Sequence, residues 1–123
     1  MSIYTRRRYA DWRGFVTCFT CPKYAPWQEF DAGHFKHGRL DFDKRAINQQ
    51  CTGCNRFWHG RLDVYAQNLV KQYGPTILNE LDRAAQQEKP RTVTDYERII
   101  QELTNDIATL DEKESKYALS VSQ

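Results

Sequence analysis

The clearest pattern in the chain begins at Arg61. In "RLDVYAQNLVKQYG", Leu62, Tyr65, Leu69 and Tyr73 recur at helical spacing, and Gly74 stands where a helix stops. Pro75 suits the first turn of a second helix, "PTILNELDRAAQQEK", with Ile77, Leu78, Leu81 and Ala85 on one face. A break follows at "EKPRTV". "TDYE" then reads as a capping box, Thr94 as N-cap and Glu97 three residues on. It opens a third helix whose apolar line runs Tyr96, Ile99, Ile100, Leu103, Ile107 and Leu110, continuing toward Tyr117. Such a stripe packs on its own core or forms a seam between two copies. Residues 18–59 behave differently. They are rich in Gly, Pro, Asn, Asp and aromatics without a 3.6-residue period, so loops and short strands are expected. The first residues predict a short lead-in with a helical turn around Tyr9–Phe15.

Composition adds a constraint. A mean hydropathy of -0.80 and 40% hydrophobic residues leave a thin core for 123 residues, and small modules of this kind need a staple. "MSIYTRRRYADW" has charge but no apolar run behind it, and no stretch approaches the roughly 20 apolar residues of a membrane span. The expectation is an intracellular protein without membrane contact, where cysteines bind metal more often than they form disulfides. Charge is unevenly spread. Residues 1–75 hold 12 Lys and Arg against 6 Asp and Glu, whereas residues 76–123 hold 6 against 10. The basic part contains every cysteine and histidine, which favours a polyanionic partner.

The four cysteines form two CxxC pairs, Cys18–Cys21 ("CFTC") and Cys51–Cys54 ("CTGC"). A two-residue gap lets both thiolates of a pair approach one ion, and two pairs complete a tetrahedral four-thiolate zinc site. Closed coordination leaves no position for substrate, so this zinc is scaffold rather than catalyst. It would fix both ends of the intervening loop-rich segment.

That segment contains "DAGHFKHGRLDFDK", with Asp31, His34 and His37. Clamping its ends brings it back toward Asn55, which follows the second pair in "CTGCNRFWHG". An Asp, an Asn and a His brought together suit a hard divalent cation beside a general base. On a regular strand Asp31 and His34 lie an odd number of residues apart and face opposite sides, so a turn or bulge near Gly33 is expected to bring them together.

The order CxxC, acid and His, CxxCN, helix resembles the HNH (ββα-metal) nucleases, particularly the zinc-stapled type of phage endonuclease VII. The stretch "WQEFDAGHFKHGRLDFDKRAINQQCTGCNRFWHGRLDVYAQNLVKQYG" is similar to the lambdoid NinG/Rap recombination endonucleases. The resemblance implies a small α+β fold in three parts: a basic lead-in (1–17), a zinc-stapled HNH core (18–74) and a helical region (75–123). It implies that His34 is the general base and that Asp31 and Asn55 hold a catalytic Mg²⁺ or Mn²⁺. The middle Asn of the family's pattern falls near Ala46, with Asn48 two positions on.

The implied activity is structure-specific hydrolysis of branched DNA, such as Holliday junctions, D-loops and flaps, in the cytoplasm of a bacterial host by a phage or prophage protein. Lys36, His37, Arg39, Arg45, Arg56, His59 and Arg61 are the candidate nucleic-acid contacts, joined by Lys44 and by Arg6, Arg7 and Arg8. Trp27, Phe30, Phe35, Phe57 and Trp58 either stack on unpaired bases or fill the core around the zinc. A homodimer through the acidic third helix and recombination proteins as partners are further expectations. The rival from another class is a non-catalytic zinc-finger module that binds DNA or protein.

Overall fold

The structure is a computed structural model that describes residues 1–35 and 40–121, the last five of these as backbone only. A short helix α1 (Ser2–Arg7) precedes two antiparallel hairpins, β1 (Phe15–Thr17) with β2 (Tyr24–Pro26), and β3 (Phe30–His34) with β4 (Ile47–Cys51). A 3-10 turn (Trp27–Glu29) joins the hairpins, and a π-helical turn (Gly53–Phe57) leads from β4 into α2 (Leu62–Tyr73). Helices α3 (Ile77–Gln87) and α4 (Val93–Val121) complete the chain. The result is a small α+β protein with two two-stranded sheets. No helix is long and apolar enough to cross a membrane among the described residues.

Helix α2 forms largely as its pattern predicts. Tyr65 and Leu69 are buried, and Gly74 caps the C-terminus at φ 101°, a conformation glycine adopts without a Cβ penalty. Leu62, expected on the buried face, is exposed. The main core packs Tyr65 and Leu69 against Ile77, Leu81 and Ala85 of α3, with Leu40 and Ala46 from the β3–β4 connection. Each fully buried aliphatic side chain here contributes about 1.5–3 kcal/mol. A second cluster surrounds the cysteines: Val16, Ala25 and Phe30, flanked by Trp27.

Three expected details change. The helical turn around Tyr9–Phe15 is replaced by α1 upstream and a turn running into β1. The Asp11 carboxylate accepts the amides of Arg13 and Phe15, and Gly14 sits at φ 79°, so local side-chain bonding wins over helix. The α4 capping box lies two residues earlier than Thr94 and Glu97. Asp95 Oδ2 accepts the Thr92 amide at 2.8 Å while Thr92 Oγ1 accepts the Asp95 amide at 3.2 Å. "TVTD" satisfies the same reciprocal rule as "TDYE", and the shorter aspartate reaches. Finally, α4 contributes no buried residue among its described side chains, and Tyr96 and Ile100 of its stripe are exposed.

The basic lead-in is a clamp. Arg7, only 9% exposed, pairs with Asp111 at 2.9 Å and Glu114 at 2.8 Å on α4. Arg8 donates to the carbonyls of Lys44 and Ile47 and to Asn48 Oδ1, at 2.8–2.9 Å. Arg6 lies over the Trp27 ring at 5.0 Å, and Lys44 pairs with Asp106 of α4 at 2.7 Å. Of these cations, expected on phosphate, Arg7 and Lys44 are instead paired with the acidic helix α4, and Arg8 with carbonyls and Asn48 of the β3–β4 region.

Candidate functional site

The four cysteines converge from separate elements. Cys18 and Cys21 sit on the connection between β1 and β2, Cys51 ends β4, and Cys54 lies in the π-helical turn. Their sulfurs all lie within 4.8 Å of one another, with Cys21 and Cys51 Sγ 3.6 Å apart. A tetrahedron with Zn–S bonds of about 2.3 Å has S···S edges of about 3.8 Å, so the cluster fits zinc. Backbone amides support the sulfurs: Cys51 N–H donates to Cys18 Sγ at 3.3 Å and Cys54 N–H to Cys51 Sγ at 3.4 Å. Burial disfavours the Cys18 thiolate, but amides of Cys51 and Thr20 outweigh it and bring the thiol down to about 7. Burial, then the neighbouring sulfurs, push Cys21 up to about 12. Four thiolates this close need a cation between them.

The cluster anchors the π-helical turn against the β3–β4 hairpin. From that turn Asn55 Nδ2 donates to Asp31 Oδ2 at 3.1 Å. Arg56 grips the same carboxylate from Nε to Oδ2 at 3.2 Å and from Nη2 to Oδ1 at 3.3 Å. Asn55 and Arg56 also line a cleft of about 280 Å³ with His34, Phe35, His59, Gly60 and Leu62. Asn55 is thus common to the carboxylate and to the cleft that holds the imidazole. His34 Nε2 lies 4.0 Å from Asp41 Oδ1 across the connection.

The bulge expected near Gly33 is absent. Pairing runs unbroken from Phe30 opposite Cys51 to His34 opposite Ile47. The regular strand leaves Asp31 and His34 at an odd offset, and Asp31 does not line the cleft. The link between them is Asn55 of the π-helical turn, which bonds Asp31 and lines the cleft with His34. Gly33 has another purpose: a Cβ there would overlap the Gln50 carboxamide. Gln50 is fully buried, donating to Thr20 Oγ1 at 3.0 Å and the Gly60 carbonyl at 2.9 Å.

The remaining candidates divide. Lys36, His37 and Arg39 lie outside the described residues. Arg45 is engaged by Asp43 through two side-chain bonds at 2.9 and 3.1 Å, which raise the guanidinium pKa. Arg56 and His59 are exposed at the cleft. Arg61 lies 5.1 Å over the Trp58 ring and, like His59, has left-handed backbone (φ 44° and 52°) around Gly60. The aromatics split as well. Phe30 is buried, Phe35 and Trp27 pack against the cores, and Phe57 and Trp58 are 76% and 62% exposed.

Sequence reasoning missed the support that Tyr65 gives and named Asn48 only as a stand-in for the family's middle Asn. Tyr65 was legible only as an apolar position, yet its hydroxyl donates to the Gly33 carbonyl at 2.8 Å and accepts from Asn48 Nδ2 at 3.1 Å. Asn48, fully buried, also donates to the Arg45 carbonyl at 3.1 Å and so braces the base of the connection. The run "NQQ" entirely buried in β4 was the available signal, since buried amides need specific partners.

Fold and cluster together define a small α+β protein built around four cysteines suited to one zinc ion. The chain belongs to the family described as Bacteriophage Lambda NinG protein, whose family model matches residues 4–114. It is 31% identical over 71 residues to protein ninG of Escherichia phage 933W, covering 54% of this chain and 35% of that one. The corresponding proteins of Salmonella phage P22 and Escherichia phage lambda are 31% and 30% identical over 71 residues, covering 54% of this chain and 34% of each relative. The match spans about a third of the length of these relatives. No solved structure matches the chain.

Proposed function

We propose that the chain is a structure-specific DNA endonuclease of the HNH type, similar to phage endonuclease VII, acting on branched recombination intermediates in the bacterial host. The observation that carries this reading is the position of Asn55, bonded to Asp31 at 3.1 Å and lining one cleft with His34. His34, a half-buried imidazole lining the cleft, takes a proton from the attacking water. Asp31 and Asn55 supply hard oxygen donors for Mg²⁺ or Mn²⁺, which would stabilise charge on the phosphorane and the departing 3′ oxygen. For this, Asn55 must turn its amide to present Oδ1, and Arg56 must release Asp31. Arg56 is 67% exposed and free to swing into solvent, whereas Asp31 is only 20% exposed, so a dication at that carboxylate would take the place of the guanidinium. Once released, Arg56 is placed to meet a phosphate. The products carry 5′-phosphate and 3′-hydroxyl ends.

One contact favours a second reading. Arg56 already satisfies both oxygens of Asp31, as it would in a zinc-stapled module that binds nucleic acid or protein without cutting. A cleavage assay on a synthetic four-way junction separates the two. The enzyme cuts only with added Mg²⁺ or Mn²⁺, and His34→Ala reduces the rate by about 10²–10⁴-fold while zinc content and junction binding persist. Binding without metal-dependent cutting, or a fully active His34→Ala, rejects the enzyme.

A further inference from the structure

The segment "RFWHGR" (Arg56–Arg61) carries two arginines, a histidine and two aromatics without an acidic residue. Phe57 and Trp58 stand out by being 76% and 62% exposed although they adjoin the zinc-anchored turn. Their backbone is held firmly: the Trp58 amide donates to the Gly53 carbonyl at 3.0 Å, Gly60 to Cys54 at 2.8 Å, and Arg61 to Trp58 at 3.0 Å. Arg61 covers part of the Trp58 ring as a cation over its face, which helps fix the ring's orientation.

Two adjacent aromatics on a rigid turn, left in water, are poised for a partner. The charge around them selects it. Arg56 and His59 flank the rings on the exposed surface and also line the cleft with His34 and Asn55, so the partner is anionic and reaches the cleft. An apolar protein surface would give Arg56 no partner beyond Asp31 and would cover the His59 ring without offering it a hydrogen bond. A nucleic-acid strand satisfies both features, its phosphates meeting the guanidinium and its bases the rings, because every base has a π face.

We propose that Phe57 and Trp58 form a stacking platform for unpaired bases next to the cleft, restricting binding to nucleic acid with an open branch or single-stranded segment. The platform would register a strand by its unstacked base and lay the adjoining backbone toward His34 and Asn55. Fully paired duplex keeps its bases stacked internally and offers the rings little. The inference rests on the nucleic-acid part of the reading above and names what that site recognises.

The test uses the whole chain with zinc bound. Affinity is measured without added Mg²⁺ or Mn²⁺ for a labelled single strand, an open junction and a blunt duplex containing the same sequence. Trp58→Ala and Phe57→Ala are each expected to weaken single-strand and junction binding on the order of 10-fold. Duplex affinity and the salt dependence set by phosphate contacts should stay unchanged. Trp58→Phe should retain most of the binding, and Trp58→Leu should lose it. Equal weakening on duplex, no weakening at all, or equal rescue by leucine overturns the platform. So does a change of oligomeric state that accounts for the loss, which would assign the rings to a contact between copies. Cleavage measured in parallel keeps the two ideas apart. If the wild type cuts junctions and Trp58→Ala binds and cuts as well, only the platform fails. If Trp58 governs single-strand binding and nothing is cut, only the nuclease reading fails.

Discussion

The Tyr65 hydroxyl donates to the Gly33 carbonyl at 2.8 Å, tying α2 to β3 one residue before His34. The same oxygen accepts from Asn48 Nδ2 at 3.1 Å, and Asn48 Oδ1 accepts from Arg8 at 2.8 Å. This buried chain links α1, β4, α2 and β3, the elements that set where the imidazole stands. Phenylalanine at position 65 would keep the ring packing against Phe19 and Phe35 and remove only the bonds. Tyr65→Phe is therefore expected to cost about 1–3 kcal/mol, because buried Gly33 and Asn48 groups lose a partner. Urea unfolding should show a lower midpoint at an unchanged slope.

The same tyrosine gives a pH dependence. Burial, only partly offset by Asn48, raises the Tyr65 pKa well above its ordinary value, and burial followed by Tyr9 pushes Tyr73 up to about 12. In the unfolded chain both ionise near 10. The folded state thus holds these protons longer, so their contribution is intact below pH 10 and is lost as pH rises from there toward the folded values. Unfolding measured at pH 8, 9.5 and 11 should show stability falling over the upper interval. Tyr65→Phe should flatten that fall; an equally steep fall in the variant refutes the assignment.

Gly33→Ala places a methyl into the Gln50 carboxamide. Gln50 cannot move freely, being bonded to Thr20 and Gly60, so the expected cost is about 1–3 kcal/mol. Gln50→Ala makes room while losing those two bonds. A double-mutant cycle should therefore give a favourable coupling of about 0.5–3 kcal/mol between the two alanines, and strict additivity would contradict the packing described.

Purified protein should contain one zinc per chain, measured by elemental analysis, and Cys51→Ser or Cys54→Ser should lower that content sharply. The four sulfurs hold both hairpins and the π-helical turn together, so metal removal should expose the amides of β1, β2 and β4 to hydrogen exchange. Full zinc occupancy in both serine variants would show that the cluster is not the metal site.

Helix α4 should be the part most sensitive to salt. Its ties to α1 run through Arg7 to Asp111 and Glu114, whose carboxylates are 62% and 59% exposed. Arg7→Ala, or high salt acting on the wild type, should raise hydrogen exchange in residues 105–116 while protection of α2 and α3 persists. Uniform loss of protection would instead make Arg7 a global stabiliser.

Helices α2 and α3 were legible because their apolar positions follow one period and Gly74 ends the first of them, a local signal that packing only reinforced. The cysteine cluster was legible for a similar reason: two-residue spacing is itself the geometry a shared ion requires. The helical turn at Tyr9–Phe15 failed because Asp11 offered the amides of Arg13 and Phe15 a competing acceptor. Arginines at positions 7 and 8 read as phosphate contacts, since nothing local announces that an acidic helix a hundred residues later will claim Arg7.

Sequence alone determined the three C-terminal helices, the metal-binding spacing and the short list of chemically capable residues, all of which depend on neighbours along the chain. Tertiary structure decided which of those residues meet: Asn55 with Asp31, Tyr65 with Gly33, and Phe57 and Trp58 left in water while Phe30 is buried. Such contacts join residues tens of positions apart, and their energies exist only once burial has excluded water and fixed both partners.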